Sequence, residues 1–130
     1  MQAVVLIAIG GAMGSVGRYY ASRLIMELGG GIFPIGTMFV NVTGSMLIGF
    51  LAALSSPESR LFMSPQARMF LITGICGGYT TFSTFSLETF ALVRDGQWAA
   101  ASLNAAGSVI LCIVAVWLGA AAANLVGRGA

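Results

Sequence analysis

Charge is absent from four long stretches of this sequence, and that absence decides the class of fold. The six Lys or Arg and four Asp or Glu side chains leave uncharged windows at Met1–Gly17, Leu28–Pro57, Met69–Leu87 and Gly96–Gly127. The hydrocarbon core of a bilayer is about 30 Å thick and a helix rises about 1.5 Å per residue, so one crossing takes about 20 mostly apolar residues. Each window is about that long. An ordinary soluble domain carries roughly 25% charged residues; this chain has 8%, with 58% hydrophobic residues. Four crossings consume most of its 130 residues and leave no room for a folded soluble domain. The reading is a single all-α integral membrane domain, residues 1–130, with spans at about 3–26, 36–53, 68–93 and 98–126.

Gly29, Gly30, Gly31 and Pro34 mark the first turn, Ser55, Ser56, Pro57, Ser64 and Pro65 the second, and Arg94, Asp95 and Gly96 the third. The first window has no basic segment before its apolar run, so it reads as a retained span rather than a secretory signal. Cys76 and Cys112 fall inside spans, where thiols act as small packing residues. No basic cluster points to nucleic acid.

Orientation is read from the arginine and lysine bias between loops. Arg60, Arg68 and Arg128 fall on one side, and Arg18, Arg23 and Arg94 on the other, so the bias is nil. Such a chain carries no strong instruction about which end stays inside. The expectation is insertion both ways and an antiparallel homodimer, the two-chain equivalent of an inverted repeat.

Small residues form stripes on the spans: Gly10, Gly14 and Gly17 on the first; Thr37, Asn41, Ser45, Gly49 and Ala53 on the second; Ser108, Cys112, Ala115 and Gly119 on the fourth. Stripes of this kind let helix backbones approach closely in lipid. Span three is stranger, because Gly77 and Gly78 followed by Thr80, Thr81, Ser83, Thr84 and Ser86 lie near mid-membrane. Each glycine weakens a helix by about 1 kcal/mol relative to alanine. A break near Gly77–Thr80 would expose carbonyls able to coordinate a cation and a new helix N-terminus that favours an anion. The alternative is an unbroken helix in a tight crossing.

Phe82 and Phe85 share one face of the segment after the break. They suit either lipid and core contact or an anion path lined by positive ring edges. Thr81, Thr84 and Glu88 lie on another face, with Glu88 about 16 Å beyond Gly77 and near a water-filled mouth. Asn41, Asn104 and Ser108 are polar at membrane depth. They read as interhelical glue worth about 0.6 kcal/mol each, or as donors to a partly dehydrated anion. Arg18 either snorkels to an interface or faces an aqueous vestibule. There is no histidine, no carboxylate pair within a span, no metal-ligand spacing and no phosphate-binding loop, so the chain does not read as an enzyme.

The stretch Gly77-Gly78-Tyr79-Thr80-Thr81-Phe82-Ser83-Thr84-Phe85-Ser86, preceded by Gly36, Thr37 and Asn41 and by Arg18 near the end of span one, resembles the Fluc family of fluoride channels. The resemblance covers all four spans. It implies a dual-topology antiparallel homodimer of four-helix subunits, span three broken mid-membrane, with two fluoride pores. It also implies a structural sodium ion (Na+) at the dimer centre on backbone carbonyls, by position those of Gly77 and Thr80. The resemblance maps the pore onto Asn41, Phe82, Ser83, Thr84, Phe85, Glu88, Asn104 and Ser108, and the vestibule onto Arg18. Where many relatives carry a tyrosine in the span-four track this chain has Asn104, and Cys112 stands where a hydroxyl is expected.

The implied activity is passive export of cytoplasmic fluoride across a bacterial inner membrane. Two other readings stay open at this point. A small multidrug-type exporter also has four spans, but it needs a carboxylate inside span one, and here only Glu27 stands near its end. A membrane-assembly subunit without transport of its own needs neither the break nor the phenylalanine pair.

Overall fold

The computed structural model describes residues 1–29, 31–56 and 63–129. Gly30, Pro57 and Arg60, which the sequence places in turns, lie outside the described residues, as does the side chain of Arg128. Three helices cross in one piece: α1 (Gln2–Gly29), α2 (Ile35–Leu54) and α5 (Trp98–Gly129). The third crossing has two parts. The first, α3, runs continuously through Pro65–Arg68, Met69–Cys76 and Gly77–Tyr79; the second is α4 (Phe82–Arg94). Between them Thr80 (φ −80°, ψ 156°) and Thr81 (φ −152°, ψ 114°) are extended. The expected break is therefore present and centred on the two threonines.

Local chemistry sets the ends. Ser64 caps α3 by accepting from the Ala67 amide at 3.2 Å, with Pro65 following where its missing N–H is harmless. Thr81 does the same for α4, accepting from the Thr84 amide at 3.3 Å. The turn after α4 is a Schellman close: the Gly96 amide bonds Val93 O at 3.0 Å and the Gln97 amide bonds Leu92 O at 2.8 Å. Gly96 sits at φ +73°, which glycine adopts without strain. Within α3, Met69–Cys76 winds in wide π-type turns, for which the local sequence carries no signal. Turns of this kind often accompany functional sites.

Helices pair through glycine. α1 lies on α3 where a Cβ on Gly10 would strike Phe70 O and one on Gly78 would strike Gly11 O. α2 lies on α5 where a Cβ on Gly49 would strike Val116 O and one on Gly119 would strike Met46 O. Gly74 and Gly78 thus belong to a crossing, whereas Gly77 meets nothing closer than Ile72 O at 3.9 Å. Packing of backbone on backbone supplies dispersion without help from water, as a bilayer demands.

The burial pattern is inverted relative to a soluble bundle. The inside holds small and polar groups, among them Val40, Cys76, Ala115, Thr37, Asn104 and Ser108, while Ile9, Val16, Leu24, Trp117 and Leu125 face outward. A surface of this composition is stable against lipid.

Candidate functional site

The site forms where α2 and α5 pass the break. Asn41 is four residues before Ser45 on α2, and its amide reaches the extended linker. Its Oδ1 accepts from the Thr81 amide at 2.7 Å, and its Nδ2 donates to Thr81 O at 3.0 Å. The side chain so replaces the helical partners that Thr81 lost at the break, which at membrane depth must come from protein or trapped water. Its second Nδ2 proton is left free.

Beside this clamp is a cavity of about 320 Å³. Asn41 and Ser45 from α2, Thr80 and Thr81 from the break, and Ser108 and Cys112 from α5 supply its polar lining; Phe82 and Phe85 close one side. The two rings are 5.3 Å apart at 44°. Among the described residues no charged side chain lines it, so its field comes from hydroxyl and amide dipoles, ring edges and the N-terminus of α4. Phe82 remains 76% exposed, which leaves that wall open to whatever covers the subunit.

A second cavity, of about 430 Å³, lies between α1, α2 and α4. Arg18, Ser22, Thr37 and Thr84 line it, and Thr81 lines both cavities. Arg18 points inward, its Nη1 donating to Thr80 O at 3.2 Å. Arg23, which also lines this space, is held by Glu27 at 2.7 Å in an exposed ion pair.

The structure therefore brings together Asn41, Phe82, Phe85 and Ser108, and places Arg18 and Thr84 in the adjoining space. The remaining expected residues stand apart. Ser83 is exposed with its hydroxyl 3.3 Å from Thr81 Oγ1. Glu88 accepts from Thr37 Oγ1 at 2.8 Å, and its other oxygen is buried without a partner. Asn104 is 1% exposed and lines neither cavity, bonding Thr89 and Ser108 instead. Sequence reasoning passed over Thr89, because nothing in a lone threonine on α4 announces a partner on α5. Cys112 does line the cavity, in the place where the resemblance led one to expect a hydroxyl.

Among the described residues no group of three or more His, Cys, Asp or Glu could hold a metal. The oxygens suited to a hard cation are the carbonyls at the break. Gly77 O has lost its helical partner, since the amide four residues on, that of Thr81, turns to Asn41. Thr80 O lies outside both helices and meets only the Arg18 guanidinium. Gly77 O is thus a neutral oxygen of the kind a monovalent cation uses, whereas Thr80 O is shared with the Arg18 cation.

Residues 5–120 match the family described as CrcB-like protein, Camphor Resistance. Three relatives carry the name fluoride-specific ion channel FluC. That of Opitutus terrae is 52% identical over 95% of this chain and 93% of its own. That of Paramagnetospirillum magneticum is 49% identical over 98% and 100%. That of Rhodospirillum rubrum is 46% identical over 95% of each.

Proposed function

This chain belongs to the CrcB-like family, and from that premise we propose a fluoride-selective ion channel whose pore runs along the Asn41–Phe82–Phe85 cavity. It is a multi-pass membrane protein and a channel rather than an enzyme. The observation that carries the pore reading is the uncharged cavity beside the break, lined by amide, hydroxyl and ring edge.

Fluoride is small and strongly hydrated, so a selective path must replace its water with many weak donors. Fixed positive charge inside the narrow part would bind it too tightly to release. Arg18 in the wider cavity attracts the anion; Thr81, common to both spaces, passes it inward. There the free Nδ2 proton of Asn41 and the edges of Phe82 and Phe85 solvate it. Ser108 and Cys112 line the far wall, where a thiol is a weaker donor than a hydroxyl. Chloride is larger and a weaker hydrogen-bond acceptor, so donors placed for fluoride solvate it less well. The ion leaves the cytoplasm of a bacterium down its own gradient, which lowers fluoride toxicity.

The open Phe82 wall and the balanced arginines support an antiparallel homodimer in which a second copy closes that wall. In this dimer the carbonyls of Gly77 and Thr80 would hold a structural sodium ion, which supplies a positive charge at the break. Exchange of sodium for choline is expected to lower the melting temperature of purified protein by several degrees, as loss of a ligand that binds only the folded state does. An unchanged melting curve would remove sodium from the account.

Phe82→Ile and Phe85→Ile test the rings. Each keeps bulk and loses the polar edge, so each is expected to cut fluoride efflux at least tenfold while the protein elutes from a sizing column as before. Undiminished efflux in both variants would take the rings out of the pathway.

A further inference from the structure

We propose that Asn104 is a positioning residue that sets which way the Ser108 hydroxyl proton points, and that Thr89 sets Asn104. This deepens the channel reading and rests on it. The bonds run in one direction. Thr89 Oγ1 donates its only proton to Phe85 O at 2.7 Å, so toward Asn104 it can only accept. The Asn104 amide therefore turns Nδ2 to Thr89, at 2.8 Å, and Oδ1 to Ser108. Ser108 Oγ gives its proton to that Oδ1 at 3.4 Å. Asn104 is 1% exposed and lines neither cavity, so its amide is settled by protein partners, whereas Ser108, 5% exposed, opens onto the cavity alone.

Ser108 lines the cavity with Asn41, Phe82 and Phe85. With its proton drawn toward Asn104, it presents lone pairs to the cavity, which repel an anion. The bond that holds the proton is long compared with the usual 2.7–2.8 Å between hydroxyl oxygens and acceptors, so an arriving fluoride can draw the proton across. Donation by Ser108 is consequently conditional, and the chain from Phe85 O through Thr89 and Asn104 sets its threshold. The same chain ties the backbone of a pore phenylalanine on α4 to a pore serine on α5.

Thr89 lines neither cavity, and Thr89→Val removes at nearly constant shape the two bonds its hydroxyl makes, to Phe85 O and from Asn104 Nδ2, leaving the Asn104–Ser108 pair in place. Without the hydroxyl, the amide of Asn104 is free to turn its N–H toward Ser108 Oγ and release the serine proton to the cavity. The fluoride concentration giving half-maximal flux in liposomes is then expected to fall about fivefold, the factor one neutral hydrogen bond contributes. Thr89→Ser, which keeps the hydroxyl, is expected to retain the unsubstituted value. Adding Thr89→Val to Ser108→Ala is expected to change nothing further.

A fivefold fall that persists in the Ser108→Ala background, or no fall at all, overturns the proposal. So does a Thr89→Val protein that fails to fold while Thr89→Ser folds, since the contact is then structural. If Ser108→Ala carries no flux, the contrast between Thr89→Val and Thr89→Ser decides. The unsubstituted protein is measured alongside: absence of fluoride flux there contradicts the channel reading itself, whereas normal flux with no shift in Thr89→Val contradicts only the relay.

Discussion

Asn41→Leu is expected to abolish fluoride flux, by more than about a hundredfold, and to destabilise the folded subunit. Leucine keeps the branching of asparagine but is bulkier, and it has neither the donor nor the acceptor of the amide. Asn41 meets both backbone groups of Thr81, at 2.7 and 3.0 Å. Losing the amide orphans a buried donor and a buried acceptor, each costing about 1–3 kcal/mol. The extended linker then has no reason to hold its place, and α4, which begins immediately after it with Phe82, moves with it. Asn41→Asp is a sharper variant. Its carboxylate still accepts from the Thr81 amide but faces Thr81 O without a donor and places negative charge beside an anion path. Fluoride efflux and thermal melts on both variants check this, and an Asn41→Leu protein with near-normal flux would show that the clamp is dispensable.

Gly14→Ala is expected to have the largest effect on folding. A Cβ at Gly14 would meet Ile75 O, the Tyr79 amide nitrogen at 2.8 Å and Gly78 C at 3.1 Å. All three are backbone, and backbone in a helix cannot step aside as a side chain does. Overpacking usually costs about 1–3 kcal/mol; rigid walls put this site at or above the upper end. The separation of α1 from α3 would also carry Arg18 away from Thr80 O. Gly17 acts as a control, since a Cβ there meets only the Tyr79 ring at 3.7 Å. Gly17→Ala is therefore expected to give folded protein in normal yield from detergent, whereas Gly14→Ala is not. An unaltered melt for Gly14→Ala would refute the close crossing.

Much of the architecture is legible in the sequence, since charge cannot be hidden in a bilayer: the four uncharged windows become four crossings, and the break expected at Gly77–Thr80 falls at Thr80 and Thr81, with Gly77–Tyr79 still helical. The Thr81 hydroxyl, the last of that linker, is a helix cap because threonine is well suited to one, and Gly96 closes α4 because a left-handed turn favours it. The three glycines of span three look alike in sequence, yet Gly74 and Gly78 face α1 while Gly77 does not. Helix rotation separates them, and rotation is set by neighbours distant in the chain.

The same limit applies within the site. Asn41, Phe82, Phe85 and Ser108 are conspicuous as polar or aromatic groups at membrane depth, and they do meet. Asn104 is equally conspicuous but turns to Thr89, fifteen residues away on the preceding helix. No local pattern records that choice. The π-type winding of Met69–Cys76 is similarly silent: no proline or charge marks the segment, which lies against α1.

The central claim is selectivity for fluoride through a passive path. Purified protein in liposomes loaded with both potassium fluoride and potassium chloride, with a potassium ionophore to carry compensating charge, reads it directly through two ion-selective electrodes. The account predicts rapid loss of fluoride with chloride retained. Equal loss of both anions, or no fluoride loss from folded protein, would contradict it.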